Sequence, residues 1–390
     1  MVICEREKCA ACYACVNKCP KQAIYMDKDK FGNLYTKVNE ELCVNCGLCK
    51  KVCPINNELD LREPKHVYAA WAADASDRKS STSGGAATVF SKVAIENDGV
   101  VFGSALDDEM IVRHIEVSDI KDVERLRGSK YVQSEIGYIY KRVKARLMEN
   151  KEVIFIGTPC QVSGLKCFLG KNNYKNLITI DLVCHGTPSS QLLKDYLSEK
   201  GIEQYDSISF RDKQGFNLKL KLKGKEILNE PMEKCEYYKG FMNALFYREN
   251  CYSCHYAGAK RCSDITIGDF WGLGKEEKFE KSVEDGVSLI LINTEEGEEF
   301  FNKCNKDFYY EERSLNEAVQ GNSQLRSPSL KHKNYDLFRK LYINKGIRTA
   351  VKRSFLSDDI VEFVAQSLRG NQKLYLFVRK IKRKIFKNNN

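Results

Sequence analysis

Cys9-Ala10-Ala11-Cys12-Tyr13-Ala14-Cys15-Val16-Asn17-Lys18-Cys19-Pro20 is answered later in the chain by Cys43-Val44-Asn45-Cys46-Gly47-Leu48-Cys49-Lys50-Lys51-Val52-Cys53-Pro54, and both stretches read C-x2-C-x2-C-x3-C-P. In such a run three thiolates from one tight turn hold a cubane iron-sulfur cluster, and the fourth ligates the other cluster. The spacing therefore predicts two [4Fe-4S] sites: Cys9, Cys12 and Cys15 with Cys53, and Cys43, Cys46 and Cys49 with Cys19. Each closing proline fixes φ and removes an amide donor, which ends its run. Zinc prefers two separated pairs to three evenly spaced cysteines and a fourth. Disulfides would leave the internal repeat unexplained.

Phe31-Gly32-Asn33, between the runs, has the chemistry of a hairpin turn. Residues 1–57 are thus expected to form a two-cluster ferredoxin module that moves single electrons. At 390 residues the chain has room for more. Its 17 cysteines and charged start, Glu5-Arg6-Glu7-Lys8, point to a reducing cytoplasm without a secretory leader. Apolar runs such as 287–292 are too short to cross a bilayer.

After a polar, proline-flanked linker at 54–66, apolar runs alternate with helical patterns. Strands are expected at 67–73, 99–105, 111–117, 153–156 and 177–183, and helices at 86–96, 136–149, 162–169 and 189–200. The expected fold class is α/β (α+β), a largely parallel sheet with antiparallel additions such as the alternating Leu218-Lys219-Leu220-Lys221-Leu222-Lys223. Ligands of such sheets sit beyond the carboxyl ends of the strands. Three small-residue loops fall there. Ser80-Ser81-Thr82-Ser83-Gly84-Gly85 opens a helix whose free amides suit a phosphate, or it is a plain serine loop. Gly157-Thr158-Pro159-Cys160-Gln161 and Cys184-His185-Gly186-Thr187-Pro188 each place a cysteine on that edge. A fourth loop, Gly128-Ser129-Lys130-Tyr131-Val132-Gln133-Ser134, mixes hydroxyls, a cation and an aromatic ring.

Cys251, Cys254 and Cys262 form a third group. They offer three corners of another cubane cluster and need a fourth ligand, with Cys184 the first choice and Cys160 the second. A zinc site completed by His255 is the alternative. Neither a G-x-G-x-x-G after a strand nor a P-loop occurs, so nothing supports a nicotinamide or nucleotide-triphosphate fold.

Taken in order, the double cysteine run, Ser-Ser-Thr-Ser-Gly-Gly, Gly-Ser-Lys-Tyr-Val-Gln-Ser, Gly-Thr-Pro-Cys-Gln, Val-Cys-His-Gly-Thr-Pro-Ser, Cys-Tyr-Ser-Cys and Ser-Asp-Ile-Thr-Ile-Gly-Asp-Phe-Trp resemble the coenzyme F420 hydrogenase/dehydrogenase beta-subunit family over residues 1–300. The resemblance implies an iron-sulfur flavoprotein that carries FAD beside a cluster and exchanges a hydride with a small organic partner, such as coenzyme F420. It also implies a ferredoxin or redox subunit as the one-electron partner. By position, Ser83, Gly84, Gly85, Gly128, Ser129, Lys130, Tyr131 and Ser134 would hold FAD, with Thr158, Pro159 and Cys160 near its ring. Cys160, Lys130 and His185 are the expected catalytic residues, Lys130 as a fixed cation beside reduced flavin.

Domains are therefore expected at 1–57, 66–330 and 331–390. Residues 331–390 carry 16 Lys/Arg against 4 Asp/Glu, more than the whole formal charge of +10. Leu374, Val378, Ile381 and Ile385 recur at helical spacing among lysines and arginines, a basic amphipathic pattern suited to an anionic inner membrane face or to docking on the body. On the first alternative a lipid-linked or nucleotide-activated sugar becomes a conceivable substrate. No nucleic-acid motif accompanies the charge.

Overall fold

The computed structural model describes residues 1–57, 59–172, 174–212 and 215–367, with side chains described as far as 356. In the N-terminal module each cysteine run closes into a short helix, Ala14–Lys18 and Leu48–Lys51. Between them β1 (Ile24–Lys28) and β2 (Leu34–Val38) form an antiparallel hairpin. Asp29 ties its turn, since Oδ1 accepts the amides of Phe31 and Asn33 at 2.8 Å each.

The body is built on β3 (His66–Ala72), β4 (Val100–Leu106), β5 (Val112–Val117), β6 (Val153–Gly157) and β7 (Leu177–Leu182), joined by β11 (Ile265–Asp269), β12 (Ser288–Ile292) and β13 (Phe308–Glu312). These eight make one mixed sheet in the order β13-β3-β12-β11-β7-β6-β4-β5. Strands β4, β6, β7 and β11 are parallel neighbours, and the rest pair antiparallel around them. A separate meander of β8 (Ser207–Asp212), β9 (Gly215–Leu222) and β10 (Lys225–Pro231) turns Leu218 and Leu220 inward.

Helices cover both faces of the large sheet, so its central strands read as unbroken apolar runs. On one face Phe90 and Phe300 pack over Val101, Ile154 and Ile180. On the other, helices Ile139–Met148 and Pro159–Leu169 lay Tyr140, Val143, Val162 and Leu165 on Phe102 and Phe155. That second core runs on without a break into Ala14, Val16, Ile24 and Val52 of the N-terminal module. Asn17 adds a polar fastener: its Nδ2 donates to Gly137 O at 2.8 Å. The expected linker is pinned as well, since Arg62 and Arg261 exchange both backbone hydrogen bonds at 2.9 Å.

The boundary expected at 331 is not a break in packing. Helix Tyr335–Ser367 begins there and lays Phe338, Tyr342, Ile347, Val351 and Phe355 into a core shared with Tyr196, Tyr237 and Phe246. Burying a side chain of this size stabilises by roughly 1.5–3 kcal/mol, so this stretch is held to the body and is not a solvated tail. The helix kinks at Gly346 (φ 74), where the Glu199 carboxylate accepts the amide of Ile347 at 2.6 Å and caps the second half. The basic pattern around Leu374, Val378, Ile381 and Ile385 lies outside the described residues. No described helix is long and apolar enough to cross a membrane.

Candidate redox centre

Cys9, Cys12, Cys15 and Cys53 line one cavity, together with Ile3, Tyr13 and Ile55. Cys19, Cys43, Cys46 and Cys49 line a second, walled by Ile24, Val38 and Leu48. Three thiols of each set come from one run and the fourth from the other. The second cavity lies nearer solvent: Cys46 is exposed, as are Leu42 and Val44 beside it.

A third cavity opens at the carboxyl edge of the sheet, lined by Cys160, Cys184, Cys251 and Cys254. Cys160 stands in the first turn of the helix after β6. That turn is set by a capping box, with Pro159 at its first position and Thr158 bonded to Gln161. Cys184 follows the end of β7, Cys251 lies within the short turn Glu249–Ser253, and Cys254 follows it directly. Cys262 is not brought to this cavity. The backbone pairing of Arg261 with Arg62 and the start of β11 at Ile265 carry it into the core, where its Sγ lies 3.7 Å from Pro159 O. His185 stands exposed at the mouth. Ala10, Cys160 and Tyr256 belong to both the first and the third cavity, so one wall separates the two thiol sets.

Desolvation dominates at Cys12 and at the four thiols of the third cavity. Burial, helped by neighbouring thiols, pushes Cys160 up to about 12 and raises Cys12, Cys184 and Cys254, and burial raises Cys251. Iron reverses that preference, because a metal ion deprotonates the thiols that ligate it. Cys4, which the spacing argument passed over, shares the first cavity and hydrogen-bonds with Cys9 and Cys53. Its hydrogen bond holds Cys9 down at about 5 and Cys53 at about 7.

The residues expected around a flavin divide. Ser83 donates to Val287 O at 3.0 Å, and a side chain on Gly84 would strike Ala70 O and Ser288, so both serve packing between strands. Gly85 (φ 91) starts helix Ala86–Glu96, whose first turn carries no side-chain cap. Thr82 accepts the Ser129 amide at 3.1 Å, which draws the Gly128 loop alongside. Lys130 reaches the carbonyls of Arg125, Leu126 and Arg127 at 3.3, 3.0 and 2.8 Å, and burial pushes its amine down to about 7. Tyr131 is packed among Phe210, Phe216, Tyr238 and Phe241. Ser134 is buried against His114, 2.8 Å away, behind the edge. Near the mouth, Arg211 pairs with Asp269 at 2.6 Å and lies over Trp271.

Residues 150–318 match the family model for the C terminus of the coenzyme F420 hydrogenase/dehydrogenase beta subunit, and residues 8–57 match the 4Fe-4S dicluster domain. Residues 150–318 thus carry the C-terminal domain type of the coenzyme F420 hydrogenase/dehydrogenase beta subunit. An uncharacterized protein of Methanocaldococcus jannaschii is 26% identical over 84% of this chain and 95% of its own length. An F(420)H(2) dehydrogenase subunit of Methanosarcina mazei is 24% identical over 76% of this chain and 82% of its own. A coenzyme F420-dependent sulfite reductase of M. jannaschii is 27% identical over 75% of this chain but only 45% of its own. The chain is thus an iron-sulfur protein in which a dicluster ferredoxin domain is joined to a beta-subunit domain.

Two further residues at the centre carry no sequence motif. Gly164 faces the module from helix Pro159–Leu169, and a Cβ there would lie 2.8 Å from Cys12 Cβ and 3.0 Å from Cys12 Sγ. Tyr256 spans the shared wall and donates to Ser163 Oγ at 2.8 Å. Cys4 was visible in the sequence as a cysteine outside the repeat. Gly164 and Tyr256 gave no comparable signal.

Proposed function

We propose that this chain is an FAD-dependent iron-sulfur oxidoreductase with a third cubane cluster held by Cys160, Cys184, Cys251 and Cys254. The observation that carries the reading is the contiguity of two cavities: the thiol set of Cys9, Cys12, Cys15 and Cys53 adjoins a four-thiol cavity that opens on the carboxyl edge, where α/β sheets bind ligands. The uncapped N-terminus of helix Ala86–Glu96, with Ser81, Thr82 and Ser129 beside it, offers donors for the FAD diphosphate. Bound there, FAD would exchange an electron pair with an organic substrate and single electrons with iron-sulfur groups. The chain's own part is to hold these groups at fixed separations, with Arg211 as a cation near the site, Lys130 as an amine whose charge burial weakens, and His185 at its mouth.

The substrate class that the relatives' names support is a deazaflavin of the coenzyme F420 type, with a one-electron carrier protein or redox subunit at the exposed Cys46 end. A second reading, an electron-transfer subunit without its own substrate, is favoured by one relative being named as a subunit of a dehydrogenase. Iron and flavin analysis of protein purified without oxygen tests the first reading. It expects about twelve irons and one FAD per chain. About eight irons and no flavin would overturn it. Reduction of added coenzyme F420 by the isolated, reduced chain would separate the two readings.

A further inference from the structure

Arg248 is 4% exposed, yet each of its three guanidinium nitrogens bonds a neutral group. Nη1 reaches Gln133 Oε1 at 2.8 Å, Nη2 reaches the carbonyls of Cys9 and Leu34 at 2.9 and 2.7 Å, and Nε reaches Asn250 Oδ1 at 3.3 Å. Among the described residues no carboxylate pairs with it. Buried charges are normally paired, because removing an ion from water costs several kcal/mol. A guanidinium held by amides and carbonyls alone therefore calls for an anion nearby.

The thiol sets supply one on either side. Arg248 binds the carbonyl of Cys9, in the first set, and lines the cavity of Cys160, Cys184, Cys251 and Cys254. Its own carbonyl accepts the Cys251 amide at 3.0 Å. Four thiolates outnumber the positive charge of a cubane core, so each loaded site is anionic, and more so once reduced. A fixed cation between two such sites favours their reduced forms, and net charge and hydrogen bonding are among the factors that set cluster potentials. The set of Cys19, Cys43, Cys46 and Cys49 has no bond from Arg248 and lies nearer solvent.

We propose that Arg248 is the shared counter-cation of the first ferredoxin-domain cluster and the body cluster, raising the reduction potential of both relative to the outer cluster, so that electrons entering at the outer cluster settle inward. For the body cluster this rests on the thiol assignment given above; for the ferredoxin-domain cluster it does not. The fork shape matters as well: one planar group reaches Cys9, Leu34 and Gln133 at once, which fixes the separation of the two sites.

The test is a redox titration of the full-length protein, purified without oxygen and followed by electron paramagnetic resonance, with iron counted in every sample. Loss of one wave in a Cys46→Ala chain assigns the outer cluster. At the wild-type midpoint, Arg248→Gln is expected to lower the reduced-to-oxidised ratio of the two inner clusters at least tenfold, about 59 mV for a one-electron couple, and to leave the outer cluster unchanged. Arg248→Lys, which keeps the charge, is expected to stay near wild type. Should Arg248→Gln fail to hold iron, Gln133→Glu decides, because it places a carboxylate on Nη1 with the arginine retained and is expected to shift the same two waves downward. Unchanged midpoints in an iron-loaded variant, an equal shift of all three waves, or an Arg248→Lys shift as large as that of Arg248→Gln would overturn the proposal. A wild-type chain with about eight irons would end the body-cluster assignment, and the remaining inner wave would still decide the role of Arg248.

Discussion

Replacing Gly164 with alanine tests how tightly the ferredoxin domain sits on the body. The added methyl would stand 2.8 Å from Cys12 Cβ, 2.9 Å from Tyr140 Oη and 3.0 Å from Cys12 Sγ, whereas carbon atoms in contact prefer about 3.5–4.0 Å. None of the three neighbours yields easily. Cys12 belongs to a cluster-ligand set, and Tyr140 is buried with its hydroxyl bonded to Gln161 O at 2.7 Å. Overpacking of this kind costs about 1–3 kcal/mol, and the better helix propensity of alanine returns at most about 1 kcal/mol. The expected net loss is about 0–2 kcal/mol, felt at the first cluster site. Gly164→Leu lengthens the overlap and should displace Cys12 outright. The assay is anaerobic urea denaturation followed by circular dichroism, together with the rate of iron release to a chelator. Iron release should quicken in the alanine chain, and the leucine chain should be about four irons short. A leucine variant with full iron and a wild-type midpoint would refute the contact.

Other outcomes follow from the same geometry. Cys184→Ala and Cys160→Ala should each remove about four irons, whereas Cys262→Ala should keep the full complement, as read by iron analysis. His114 is buried between Ser134 Oγ and Ile156 O, and burial lowers it from 6.5 to about 4. Below pH 6.5 the unfolded chain binds a proton that the folded one refuses, so stability falls between pH 6.5 and 4, by about 2 kcal/mol at pH 5; His114→Gln should remove this component from urea midpoints compared at pH 5 and 7. Gly346→Ala forces a left-handed conformation on alanine and drives its methyl into the Glu199 carboxylate. It should cost about 2–3 kcal/mol through strain and a lost helix cap, seen as a lower Tm.

The parts legible in the sequence were those in which chemistry and periodicity agree locally. The double cysteine run could hardly be read otherwise. The loops after β6 and β7 stood out because apolar runs of strand length end abruptly in Thr-Pro and Cys-His-Gly, and helix Ala86–Glu96 announced itself by its glycines. Long-range pairing was not legible. Spacing grouped Cys262 with Cys251 and Cys254, whereas in the fold it is buried against the carbonyl of Pro159 and does not line their cavity. Tyr131 had the composition of a cofactor contact and is held in an aromatic cluster assembled from β8, β9 and helix Glu236–Met242. In the C-terminal segment the abundance of lysine and arginine hid the apolar spacing of Phe338, Tyr342, Ile347, Val351 and Phe355. Arg248 belongs to no motif, and its neighbours Cys9, Leu34 and Gln133 are brought to it only by the fold.

The core that runs from Ala14 and Val16 into Val162 and Leu165 has a cost beyond electron transfer. A tethered ferredoxin domain could lose its metal and leave its neighbour standing. Here the cysteine turns are part of the packing under the main sheet, so metal bound at them would stabilise the body as well as the ferredoxin domain. Damage at a single ligand turn would then reach helix Pro159–Leu169 through the packing they share, and with it the main sheet.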